Sequence, residues 1–117
     1  MLTDFSLGHG AAQARREPRH RLREALLELA AGQATIVGHE EKNWASITFA
    51  GARHRLDLAF EGAEAVQAGE LFIAFLPEHE FAIPGQLVAD AAVTAVEHRL
   101  DPPRMQVSCE LLLLEEG

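Results

Sequence analysis

The stretch from Met105 to Leu114 constrains the fold more than any other part of the chain. Val107, Cys109 and Leu111 alternate with Gln106, Ser108 and Glu110. That is the period of a strand with one dry face and one wet face. The alternation then stops, because Leu111-Leu112-Leu113-Leu114 is apolar on both faces. Leu112 and Leu114 fall on the face that carries Ser108 and Glu110. With helices covering only the opposite face, they form an exposed apolar patch, and such patches mark partner surfaces. Leu71 to Leu76 reads as a second strand buried on both sides, and its Phe72 makes the same demand. Trp44 adds to it. The economical cover is a second copy packed sheet to sheet. A homodimer, or another protein partner, is therefore expected through Leu112, Leu114, Phe72 and Trp44.

The rest of the chain supplies the layer that packs on such a sheet. Leu22, Leu26, Leu29 and Ala30 recur at spacings of three and four, which predicts a helix from Pro18 to about Ala31. Gly32 suits its C-terminal cap. Ala34-Thr35-Ile36-Val37 reads as a short strand and His39-Glu40-Glu41-Lys42-Asn43 as a polar turn. Trp44 to Ala50 alternates. After Gly51-Ala52, His54, Leu56, Leu58 and Phe60 form the dry face of a further strand. Gly62 to Gly69 reads as a loop. Pro77-Glu78-His79-Glu80 reads as a turn, and Pro84 suits the first turn of a helix that ends near Leu100.

The predicted order is α-β-β-β-β-α-β, an α+β domain with a mostly antiparallel five-stranded sheet and two helices on one face. The connection between the last two strands suits a parallel crossover as well as an antiparallel return. Residues 1–10, ending in Gly8-His9-Gly10, read as a flexible arm, and residues 11–117 as one domain.

Composition excludes several classes. The net charge is −8 and is unevenly placed. Residues 1–31 carry five arginines against four acids, whereas residues 32–117 carry five basic groups against fourteen acids. An acidic body repels nucleic acid and anionic membrane. A single cysteine, Cys109, excludes an internal disulfide and a cysteine-rich zinc site. Alternation places it on the dry face, as a core thiol. No apolar run approaches the ~18 residues of a membrane span, and a cytoplasmic location is expected. No phosphate-binding loop, dinucleotide fingerprint, nucleophile elbow or His-Glu-x-x-His motif occurs, so no cofactor is expected.

Four clusters carry titratable groups. Glu78-His79-Glu80 places a carboxylate beside an imidazole next to a predicted helix start, a pairing suited to acid–base work or metal ligation. His39, with His79 and Glu80, could complete a metal site if the two turns meet. His54, on an apolar strand face, is a candidate for a buried catalytic or pH-sensitive group. Arg15, Arg16, Arg19, Arg21 and Arg23 form the one basic cluster, with Arg16, Arg19 and Arg23 near one helix face. No aromatic residue is interleaved for RNA stacking.

The residues thus favour a non-enzymatic interaction or accessory protein acting through an apolar sheet face. The alternatives are a metal- or small-molecule-binding enzyme using the His/Glu turns, and an RNA-contacting module on the arginine helix.

Overall fold

The computed structural model describes residues 17–116. Helix α1 covers residues 17–29. It is followed by strands β1 (Ala34–Ala45) and β2 (Ala50–Glu61), helix α2 (Ala63–Phe75) with a 3-10 turn Leu76–Glu78, and strands β3 (Gln86–Leu100) and β4 (Pro103–Glu115). The four strands form one antiparallel sheet in the order β1-β2-β4-β3. The chain is thus a helix–hairpin unit used twice, the two hairpins meeting along β2 and β4. The predicted α+β class, its antiparallel sheet, the first helix and the count of two helices hold, but the second helix lies at Ala63–Phe75 rather than Pro84–Leu100. The fifth strand and the predicted order do not hold.

Helices and sheet bury one shared core. Leu22, Leu26 and Ala30 from α1 join Ala65, Val66, Phe72 and Leu76 from the α2 region. Opposite them lie Leu56, Leu58 and Phe60 of β2 and Met105, Val107, Cys109, Leu111 and Leu113 of β4. Directly paired residues share a face, as Leu56 with Cys109 and Leu58 with Val107 do. Both alternating strands therefore present their dry faces to the same helical layer. Phe60 and Phe72 meet at 5.9 Å between ring centroids, tilted by 53°, a favoured aromatic geometry. Two glycines make the path possible. Gly62, at φ 100°, turns the chain from β2 into α2. At Gly51 a Cβ would lie 2.0 Å from the Leu113 carbonyl oxygen, so only glycine fits there.

Several predicted elements differ from those observed: the loop at Gly62–Gly69 is the first part of α2, the strand read over Trp44–Ala50 is the β1–β2 hairpin turn with its flanks, and three more differ for physical reasons. Leu71 to Leu76 is the end of α2 rather than a strand. Phe72 and Leu76 point inward at helical spacing, while Leu71 and Phe75 stay exposed. The predicted helix from Pro84 to Leu100 is strand β3. Its inward residues are Val88, Ala91, Val93 and Val96, opposite Leu113, Leu111, Cys109 and Val107. Register shifts at Ala89 and Thr94 lengthen two of their intervals from two residues to three, so a bulged strand acquires a near-helical period. The predicted turn at His39–Asn43 is the middle of β1, which runs on past a register shift between Ile36 and Gly38.

The apolar patch on the open sheet face also needs correction. Leu112 and Leu114 are only 9% and 7% exposed although no helix among the described residues covers that face. Arg53 and Asp90 flank Leu112, and Leu87 flanks Leu114. Both leucines are buried and do not form the expected exposed patch. Phe72 lies in the helix–sheet core, and Trp44 is part-exposed near the end of β1.

Because Phe72 is core, Phe72→Ala is expected to cost about 3–5 kcal/mol in urea unfolding without changing the oligomeric mass. A loss under about 1 kcal/mol, the range of surface changes, would contradict this packing of α2.

Candidate functional site

The polar groups that converge lie under α1. β1 turns His39 and Glu41 toward the helical layer, opposite Leu56 and His54 of β2. On α1, Arg19 and Arg23 are four apart and so share a face. Arg23 Nη1 lies 3.1 Å from His39 Nδ1, and His39 Nε2 lies 2.9 Å from His54 Nδ1. Arg19 bridges to Glu41 at 3.3 Å and donates to the His39 carbonyl at 3.4 Å. These contacts explain why polar residues interrupt the dry face of β1: the helix supplies their partners.

The chain of donors fixes both imidazole tautomers. A guanidinium has no acceptor, so His39 Nδ1 carries no proton and receives Arg23's. His39 must then hold its proton on Nε2 and donate it to His54 Nδ1. His54 is left with its proton on Nε2. Both rings are held neutral. Burial, then the nearby Arg19, His54 and Arg23, pushes His39 down to about 3. Burial likewise lowers His54, and Arg19 adds to the effect while Glu41 opposes it.

His54 is 2% exposed and lies at the floor of a cleft of about 450 Å3, lined also by Pro18, Glu41, Asn43, Gln86 and Glu115. The second nitrogen of His54 is thus a donor. It is not a base, nor a lone pair open to a metal. Two guanidinium groups beside the pair further oppose a cation, and no cluster of three metal-ligating side chains occurs among the described residues.

The other candidates stand apart from this network. Glu78 at the end of the 3-10 turn and His79 and Glu80 beyond it are exposed, and His79 packs edge-on against Phe81 at 4.6 Å. Among the described residues nothing joins His79 or Glu80 to His39. Cys109 is fully buried, its thiol pushed up to about 12 by burial and by Asp57 and Glu110. Arg19 and Arg23 are turned into the sheet, and Arg21 pairs with Glu17 at 3.1 Å, which leaves little of a nucleic-acid face. Arg15 and Arg16, like the arm at residues 1–10, lie outside the described residues. No helix among the described residues is long and apolar enough to cross a membrane.

The inward position of His54 was legible from alternation. Its link to His39 was not, because His39 sat in a stretch that read as a turn. The facing of Arg19 and Arg23 on one side of α1 was the available signal.

No family model matches the chain, and no curated protein does. Among solved structures the fold resembles a chain described as "Virion of native gene transfer agent (GTA) particle". That likeness has a TM-score of 0.50 at 13% identity and covers 87% of this chain and 93% of that one. At such identity the likeness is one of fold.

The neutral pair has a consequence for stability. In the unfolded chain a histidine takes up a proton near its ordinary pKa of about 6.5, whereas folded His39 does so only near 3. Between these values the unfolded state binds more protons, so stability falls as pH falls and levels off below about pH 3. His39→Gln is expected to destabilise the protein most near neutral pH, with the melting-temperature gap to the parent closing toward pH 4. A gap independent of pH would contradict a neutral, buried pair.

Proposed function

We propose that the protein is a non-enzymatic assembly component that joins other protein chains through the parts of its sheet that its own helices do not cover. The observation that carries this reading is where three of the exposed large apolar side chains lie. Ile47 and Phe49 stand exposed at the tip of the β1–β2 hairpin, and Leu100 at the tip of the β3–β4 hairpin. By register the two tips are at opposite ends of the sheet. The body measures 58 × 27 × 20 Å, with a radius of gyration of 16.1 Å, against about 13 Å for a compact domain of this length. Hairpins that outreach their core and end in apolar residues suit docking into neighbours. Both edge strands also leave one row of backbone donors and acceptors open.

Two further points support the reading. A virion is itself an assembly, and one of its chains shares this fold. The polar cluster that converges under α1 among the described residues presents a fixed donor rather than a base or a metal site, which weighs against the enzyme alternative. The apolar surface used here is thus the hairpin tips and sheet edges, in place of the Leu112–Leu114 face.

Sedimentation velocity tests the proposal. The purified protein is expected to associate as its concentration rises to about 100 μM, within reach of weak specific contacts. Replacing both Ile47 and Phe49 by serine is expected to weaken that association while leaving the melting temperature close to the parent's. A single-chain mass at every concentration would overturn the reading.

A further inference from the structure

β3 is an edge strand: among the described residues it pairs with β4 on one side and with nothing on the other. From Thr94 to Leu100 every residue is exposed, on both faces. Two of the usual guards against another strand are missing, since Gln86–Leu100 contains neither lysine nor proline. Many of its side chains are alanines, small enough for close approach.

Two of its charges are unbalanced within the chain. Asp90 sits beside Leu112 and Arg99 beside Arg104. Arg104 already faces Glu61 at 3.6 Å. Among the described residues neither Asp90 nor Arg99 takes part in an ion pair. Arg99 is therefore a cation next to another cation, and Asp90 an anion next to a leucine.

We propose that β3 is a self-recognition edge, where a second copy of this chain adds its own β3 antiparallel across a two-fold axis at Ala95. This rests on the assembly reading above and names its partner. In that register Asp90 of each copy faces Arg99 of the other, twice over. Val93 faces Val96, Ala92 faces Glu97 and Ala91 faces His98. Antiparallel partners must share a sheet face, and these do. Asp90, Ala92, Glu97 and Arg99 lie on the open face, while Ala91, Val93, Val96 and His98 lie on the helix face.

The bulge at Thr94 is what makes this match possible. Without the extra residue, 93 and 96 would fall on opposite faces and no two-fold register could pair Asp90 with Arg99. A bulge that ordinarily turns an edge away from neighbours here brings the halves of the strand into phase. Val96, 43% exposed in the single chain, gains an apolar neighbour.

The other edge does not offer the same match. β1 carries Glu40, Glu41 and Lys42 in succession. Any two-fold register that pairs Glu40 with Lys42 sets Glu41 against its own copy, and like charges directly opposite are destabilising.

Charge exchange tests the proposal by sedimentation equilibrium. Asp90→Arg sets arginines opposite each other at both ends of the contact, and Arg99→Asp does the same with aspartates. Each single variant is expected to weaken dimerisation roughly tenfold or more. The double variant Asp90→Arg with Arg99→Asp is expected to restore it. Circular dichroism on all three checks that these exposed substitutions leave the fold intact. Association that is equally strong in parent, single and double variants would overturn the β3 contact while leaving assembly through another surface standing. Weakening in the singles without rescue in the double would overturn the Asp90–Arg99 register. A parent that stays single-chain throughout would overturn the assembly reading and this inference together.

Discussion

The unbroken antiparallel pairing of β2 with β4, from Gly51 opposite Leu114 to Glu61 opposite Arg104, is what the rest of the molecule depends on. It joins two helix–hairpin units that could not each bury a helix alone. A lone two-stranded hairpin is marginal in water. Two hairpins side by side give a dry strip four strands wide. The strip from His54 to Phe60 and from Met105 to Leu113 receives both helices. The same pairing sends β1 and β3 to the two edges and the two hairpin tips to opposite ends. Every feature used for the functional reading follows from that placement.

The polar cluster beneath α1 shows how the core tolerates charge. Half-burying Arg19, Arg23, Glu41 and His39, and fully burying His54, apart from one another would be costly. Together they satisfy one another, at the expense of chemical freedom. Arg23 can only donate, so its proton direction passes through His39 to His54 and settles the tautomer of both. A histidine pair that resembles a proton relay in composition is in geometry a fixed strut between α1 and the sheet.

Much of this was legible in the sequence. The stripe of Leu22, Leu26 and Ala30, the alternation from His54 to Phe60 and that from Val107 to Leu111 identified α1, β2 and β4. What could not be read has specific causes. The bulges in β3 shifted its inward residues to intervals resembling a helix. In α2 the outward Leu71 and Phe75 closed the gaps between inward residues, so an amphipathic turn read as a continuous apolar run. In β1 a bulge combined with inward polar residues to read as a loop. Periodicity records which side a residue faces. It does not record whether that side is met by a leucine or by an arginine. The burial of Leu112 and Leu114 was not legible either, since a local pattern does not show what lies across the sheet.

The most direct measurement of the central claim is amide hydrogen exchange followed across a dilution series. Residues 54–60 and 105–111 should show the slowest exchange at every concentration, because their pairing carries global stability. The amides of β3 from Asp90 to Arg99 should gain protection as concentration rises, while those of β1 do not. Protection in β3 that is independent of concentration, or that rises equally in β1, would contradict a self-recognition edge built on the β2–β4 trunk.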